Sequence, residues 1–140
     1  MRTLLAVVLV AALAPAAPVP KALRPKTDDK TALVGVWRPA PGTRDESFRF
    51  TEDGRMQAWS GQARDGGTSF PFSWSIDPTT DPKQMTWGDA ASKLVSFECV
   101  YELDGDRLRI GYGQPAKRPT GVTAGQAMFV CDLVRDSSAK

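Results

Sequence analysis

Residues 97–112 have the sequence FECVYELDGDRLRIGY, in which apolar and polar side chains alternate on both sides of an Asp-Gly pair. Such alternation is typical of β-strands with one buried face, and an Asp-Gly pair between two such runs is typical of a two-residue hairpin turn. A turn made by Asp104 and Gly105 would pair Tyr101 with Leu108 on the apolar face. The stretch therefore predicts an antiparallel hairpin.

A second hairpin is predicted upstream. The segment 52–54, Glu-Asp-Gly, suits a three-residue loop that ends on a glycine in the left-handed conformation. This loop pairs Phe50 with Met56 and Phe48 with Ala58, which leaves one face of the hairpin apolar.

Short β-like runs continue along the chain, separated by turn residues. They lie at 33–37, 47–51, 70–76, 85–87, 93–112 and 127–135. In the run 70–76 the side chains of Phe70, Phe72, Trp74 and Ile76 share one face. In the last run we expect Phe129, Cys131 and Leu133 to face inward, because the opposite face would bury Asp132. About eight strands without crossover helices predict an all-β fold, an antiparallel meander closed into a barrel.

Three stretches resemble a known family. They are LVGVW at 33–37, SIDPTTDPK at 75–83, and YELDGDRLRI at 101–110 followed by Arg118 and Pro119. Together they resemble the small exported, lipocalin-like domain found mainly in planctomycete-type bacteria. The resemblance implies a lipocalin-like barrel and export, and it supplies no catalytic residues. The chain departs from the family pattern at its cysteines, so the resemblance assigns them no role.

The N-terminus has the pattern of an export signal. A basic residue, an apolar run of 11 residues and small residues at the cleavage position predict a signal peptide over 1–16. The run is too short to span a bilayer, which needs about 20 residues. We expect a flexible tether over 17–32, the barrel domain over 33–136 and a disordered tail over 137–140, in a periplasmic or extracellular protein.

Composition excludes several kinds of chemistry. The chain has no histidine, two cysteines and a formal net charge of +2. It therefore has no Ser-His-Asp or Cys-His catalytic group, no histidine-bound metal and no four-cysteine zinc site. The small net charge argues against nucleic-acid binding. We predict no enzymatic activity, no catalytic residues, no cofactor and no metal.

The two cysteines, Cys99 and Cys131, leave two alternatives open. An even number in an exported chain is typical of a disulfide. In a meander, however, one strand separates them, and two strand spacings of about 4.8 Å exceed the roughly 7 Å limit for a bridge. The alternative is a pair of buried free thiols.

The acidic side chains are predicted to face solvent. Glu98, Glu102 and Asp132 alternate with inward positions, and Asp28 and Asp29 fall in the tether. We expect no acid inside the barrel, which argues against a glycosidase, whose chemistry needs two converging carboxylates.

The inward aromatic side chains carry the functional prediction. We predict an exported, monomeric, non-enzymatic binding module for a small apolar or amphipathic ligand. The predicted ligand-binding residues are Trp37, Phe48, Phe50, Phe72, Trp74, Tyr101 and Phe129. The alternative is a solid-cored envelope domain that binds another exported protein through its loops. Neither hypothesis involves nucleic acid or a transmembrane segment in the mature chain.

Overall fold

A computed structural model of the chain describes residues 28–60, 67, 71–91 and 96–139. The predicted signal peptide and the tether as far as residue 27 lie outside these residues. The described elements, in chain order, are α1 Asp29–Leu33, β1 Gly35–Pro39, β2 Glu46–Phe50, β3 Arg55–Ser60, β4 Phe72–Asp77, β5 Lys83–Asp89, β6 Ser96–Asp104, β7 Arg107–Tyr112 and β8 Phe129–Arg135.

The eight strands form a closed antiparallel barrel in which each strand pairs with the next one along the chain. The last strand returns to the first, where Trp37 pairs with Arg135. Closure removes the exposed sheet edges that an open meander would present. The predicted all-β antiparallel barrel of about eight strands is confirmed.

The predicted hairpin of β2 and β3 is confirmed in register and in loop conformation. Phe50 pairs with Met56 and Phe48 with Ala58. Gly54, at the end of the loop, has φ +79°, a left-handed value that favours glycine.

The register of the hairpin between β6 and β7 differs from the prediction by two residues. Tyr101 pairs with Ile110 instead of Leu108. The strand pairing continues to Asp104, so the loop is formed by Gly105 and Asp106, with Gly105 at φ +60° as its first residue. The prediction was wrong because it placed the glycine second in the loop. A shift of two residues preserves side-chain alternation, so the inward face remains as predicted.

The buried core lies inside the barrel. On β4, Trp74 is buried, Phe72 and Ile76 are half-buried, and the serines between them are exposed, as predicted. Phe70 lies outside the described residues. On β8, Cys131 and Leu133 are buried and Phe129 is half-buried, so the predicted inward face is confirmed.

A short helix replaces the C-terminal part of the predicted tether. Asp28 caps α1 through its carboxylate, which accepts a hydrogen bond from the backbone N–H of Thr31. Leu33, the last residue of α1, is 0% exposed and belongs to the core. The strand predicted to begin at Leu33 therefore begins at Gly35. In the predicted C-terminal tail, residues 137 and 138 form a turn in which Asp136 accepts a hydrogen bond from the backbone N–H of Ser138.

The long connection between β7 and β8 folds against the outside of the barrel. Arg118 donates to the carbonyl oxygens of Cys99 at 2.6 Å and Met85 at 3.1 Å. Val122 from the same connection lies against Gly111, which pairs with Val100. Val100 points outward between two inward residues and is nevertheless 0% exposed, because this connection covers its side of the sheet.

No helix long and apolar enough to cross a membrane occurs in the part of the chain that the structure describes.

Candidate functional site

The end of the barrel next to α1, here called the closed end, is sealed by side chains. The indole N–H of Trp37 donates to the carbonyl oxygen of Leu33 at 2.8 Å. The guanidinium of Arg135 lies over the Trp37 ring at 4.3 Å and donates to the carbonyl oxygen of Val34 at 2.9 Å. Since Leu33 and Trp37 are both 0% exposed, no opening to the interior lies at their position.

Asp29 joins the helix to the barrel wall. Its carboxylate accepts hydrogen bonds from the Tyr101 hydroxyl at 2.8 Å and from Lys83 Nζ at 2.7 Å. Burial raises the pKa of Tyr101, and the Asp29 carboxylate raises it further. The prediction that Asp29 faces solvent was therefore wrong, because the segment that carries it is helical and packs on the barrel.

The opposite end, here called the mouth, is where the strand registers bring Glu46, Ser60, Tyr112 and Phe129. Ala58 shares the inward face with Phe48, its cross-strand partner, and is nevertheless exposed. Solvent therefore reaches the inward face of the barrel near the mouth.

Within the described residues, β4 pairs with β3 at two positions, Arg55 with Ser73 and Met56 with Phe72. Ala58 is two residues past the last of these pairs.

Half-buried aromatic side chains line the mouth. The ring centres of Tyr112 and Phe129 lie 5.2 Å apart, and those of Phe97 and Tyr112 lie 6.4 Å apart. Trp87, beneath them, lies 5.6 Å from Tyr112 and 5.8 Å from Phe48. The aromatic surface is thus continuous from the mouth into the core.

A carboxylate lies within this aromatic surface. Glu46 shares the inward face of β2 with the core residues Phe48 and Phe50. Its Oε2 atom accepts hydrogen bonds from the Tyr112 hydroxyl at 2.6 Å and from the Cys131 thiol at 3.1 Å. The expectation that no acid lies inside the barrel was wrong for Glu46.

The second oxygen of Glu46 binds a cation from the connection between β1 and β2. Arg44 Nη2 lies 2.6 Å from Glu46 Oε1, and the Arg44 guanidinium lies 4.5 Å over the ring of Phe129. The side chain of Arg44 is 45% exposed and that of Glu46 is 23% exposed. The carboxylate is therefore the more deeply placed member of the pair.

The protonation states in this cluster follow from these contacts. Burial raises the pKa of Glu46, but hydrogen bonds from Tyr112, Arg44 and Cys131 outweigh it, so the pKa lies below its ordinary value of 4.5. Burial and the neighbouring carboxylate raise the pKa of Tyr112 and bring that of Cys131 to about 12. At neutral pH the site consists of a carboxylate with a neutral hydroxyl and a neutral thiol as donors.

The predicted ligand-binding residues divide into two groups. Five of them, Trp37, Phe48, Phe50, Trp74 and Tyr101, are at most 5% exposed and belong to the packed core. Phe72 and Phe129 are half-buried. Phe129 is brought together with the Glu46 cluster, whereas Trp37 and Tyr101 lie at the closed end.

Glu46, Arg44 and Tyr112 were not among the predicted site residues. A signal for Glu46 was available, because it is two positions before Phe48 and alternation puts both on the same face. Arg44 carried no such signal, since it lies in an irregular connection.

Both cysteines are free and buried. The strand order puts β7 between Cys99 on β6 and Cys131 on β8, as the meander predicted. The structure therefore has the free thiols of the second alternative. Burial raises the pKa of Cys99, so neither sulfur is a thiolate at neutral pH.

Surface cavities lie elsewhere on the molecule. One of about 530 Å³ is lined by Ala40, Thr43 and Asp132, among others. One of about 720 Å³ near the closed end includes Phe50 and Arg49 in its lining. Within the described residues, no group of three or more cysteine, aspartate or glutamate side chains could hold a metal ion.

Comparison of the chain with protein-family models, with curated proteins and with solved structures found no match.

Proposed function

We propose that this protein is an exported, non-enzymatic binding module that holds a small amphipathic ligand at the mouth of its barrel. The observation that carries the proposal is the Glu46 carboxylate, which faces inward among half-buried aromatic rings. A charged group in apolar surroundings is costly unless it is paired. Ligand sites commonly combine an apolar lining with a few fixed polar groups of this kind.

The packing of the interior decides where such a ligand would bind. Trp37, Trp74 and Tyr101 fill the deep interior and are at most 5% exposed. The proposed ligand therefore contacts the half-buried rings of Phe97, Tyr112 and Phe129 and reaches Glu46 with its polar group. This site is shallower than the deep ligand cavity that the lipocalin-like resemblance of the sequence suggests. The lipocalin-like character and the export of the protein both remain part of the proposal.

Fluorescence titration of the full chain with the neutral probe N-phenyl-1-naphthylamine tests the binding site. We expect saturable binding that quenches tryptophan fluorescence, because Trp87 lies beneath the mouth. Ala58→Trp adds a large side chain at the exposed inward position and should weaken probe binding at least tenfold. Ser75→Trp adds the same side chain on the outer face of β4, where Ser75 is exposed, and should leave binding unchanged.

Two results would contradict the proposal. One is the absence of saturable probe binding, and the other is an Ala58→Trp variant that binds as tightly as the original chain. Native mass spectrometry adds an independent measurement, since a co-purified ligand would raise the native mass and would be absent after denaturation.

A second candidate function is favoured by the filled core. If the interior only stabilises the fold, the protein acts through its surface as an interaction domain for another exported protein. The 530 Å³ cavity, whose lining includes Arg109 and Asp132, is then the surface to examine. Charge reversal of Arg109 would reduce partner binding and leave the fluorescence titration unaffected.

A further inference from the structure

The Arg44–Glu46 pair has an asymmetry that indicates the charge of the ligand. Glu46 belongs to strand β2 and is held by two further donors, Tyr112 and Cys131. Arg44 belongs to the connection before the strand and is 45% exposed. Its guanidinium contacts the Glu46 carboxylate and the face of the Phe129 ring. The carboxylate is thus held from the barrel side by two donors, whereas the guanidinium lies on its solvent side.

The surroundings of the Arg44 guanidinium are those of a cation site. A carboxylate oxygen lies 2.6 Å from Nη2, and an aromatic face lies 4.5 Å from the guanidinium carbon. Carboxylates and aromatic faces attract organic cations through charge and through the ring quadrupole. Tyr112 and Phe97 extend the aromatic surface beside this position.

We propose that the mouth binds an organic ammonium group carried on an apolar chain, and that Arg44 occupies the ammonium position when the site is empty. This inference rests on the proposed function and specifies its ligand class. The ammonium takes the place of the guanidinium against Glu46 and Phe129, while the apolar chain lies along the half-buried rings. An anionic ligand in the same position would lie against the Glu46 carboxylate, which the strand and two hydrogen bonds retain.

The overall charge of the chain does not account for a preference for cationic over anionic ligands. The formal net charge of the full chain is only +2, so long-range electrostatics gives cations no advantage there. A preference of the full chain for cations is therefore expected to arise at a local carboxylate.

The test compares three probes that share an eight-carbon chain: octyltrimethylammonium, octanoate and octyl glucoside. Each is titrated into the full chain below its micellar concentration, and tryptophan fluorescence reports binding. We expect octyltrimethylammonium to bind at least tenfold more tightly than octanoate. Glu46→Gln should reduce the ratio of cation to glucoside affinity about tenfold, whereas Glu102→Gln, on the exposed outer face of β6, should leave that ratio unchanged.

Arg44→Ala provides a second and independent readout. Removal of the competing guanidinium should raise the affinity for octyltrimethylammonium several-fold, and the bound cation should raise the Tm of this variant. Because the Arg44 side chain is 45% exposed and lies outside the strands, its removal should leave the fold intact, so this variant tests the cation site even if Glu46→Gln fails to fold.

The outcomes separate the two proposals. Octanoate binding as tightly as the ammonium probe, or weaker ammonium binding by Arg44→Ala, overturns the cation site and leaves the binding function intact if octyl glucoside still binds. If none of the three probes binds, the proposed function is overturned together with the inference.

Discussion

The guanidinium carbon of Arg135 lies 4.3 Å from the ring centre of Trp37, so that a cation on the last strand covers an aromatic face on the first. The same side chain donates to the carbonyl oxygens of Ala32, in the last turn of α1, and of Val34, which lies between α1 and β1. Arg135 therefore connects three parts of the chain at the closed end: the last strand, the first strand and the segment of α1.

Replacement of Arg135 by alanine should therefore lower the free energy of unfolding by about 2–4 kcal/mol, since it removes a cation–π contact and leaves part-buried carbonyl oxygens without their donor. Arg135→Lys should recover little of this loss, because an ammonium cannot reproduce the planar contacts of a guanidinium. Urea unfolding measures both effects. Arg107→Ala, an exposed arginine on β7, serves as the control and should change stability by less than about 0.5 kcal/mol.

The core position of Trp74 gives a second prediction. Its side chain is 5% exposed, its ring centre lies 5.1 Å from that of Phe50, and its indole N–H donates to the carbonyl oxygen of Thr51 at 3.2 Å. Trp74→Ala should cost about 3–5 kcal/mol of stability through the cavity it creates. Met128→Ala, at a side chain that is 65% exposed, should be nearly neutral. A near-neutral Trp74→Ala would show that this face of β4 does not point inward.

Alternation allowed most of the barrel to be predicted from the sequence. Phe48 and Phe50 alternate with polar residues, and a glycine follows at the distance that a three-residue loop requires, so face and register were both determined. In the hairpin of Tyr101, alternation determined the face. However, Asp104-Gly105-Asp106 permits two loop positions, one residue apart, whose strand registers differ by two residues. Alternation is the same in both registers, so it could not distinguish them.

The contacts of Asp29 and of the Glu46 cluster could not be predicted from the sequence, because they join parts of the chain that are distant in sequence. Asp29 lies in a segment with several charges and prolines, and its role appears only when Tyr101 and Lys83 are brought to it. Glu46 could be placed by alternation, but its cluster depends on Tyr112, which is 66 residues away in the chain. Arg44 lies in an irregular connection, where no periodicity applies.

The cysteines provide a third prediction. Cys99 and Cys131 are both 0% exposed and their thiol pKa values are raised by burial, that of Cys131 to about 12. Ellman's reagent at about pH 8 should therefore react with neither thiol in the folded protein and with both after unfolding, because only the thiolate is nucleophilic. The intact mass of the denatured chain should equal that of the free-thiol form. A mass lower by two hydrogens would instead establish a bridge between the two residues.

The last prediction concerns the dependence of stability on pH. The pKa of Glu46 in the folded protein lies below its ordinary value of 4.5, since hydrogen bonds from Tyr112, Arg44 and Cys131 outweigh the opposite effect of burial. The unfolded chain thus binds the proton more readily than the folded chain does. The stabilisation by this carboxylate is fully present above about pH 4.5 and is lost as the pH falls through the folded-state pKa.

Urea unfolding of the original chain and of Glu46→Gln from about pH 6 to about pH 3 isolates this contribution. The difference in the free energy of unfolding between the two proteins should be constant above about pH 4.5 and should shrink below it, because glutamine does not titrate. Met128→Ala is the control, since Met128 is 65% exposed and does not titrate, and its difference from the original chain should stay constant over this range. A Glu46→Gln difference that grows on acidification would mean that burial dominates at Glu46 and that its carboxyl is protonated more readily in the fold than in the unfolded chain.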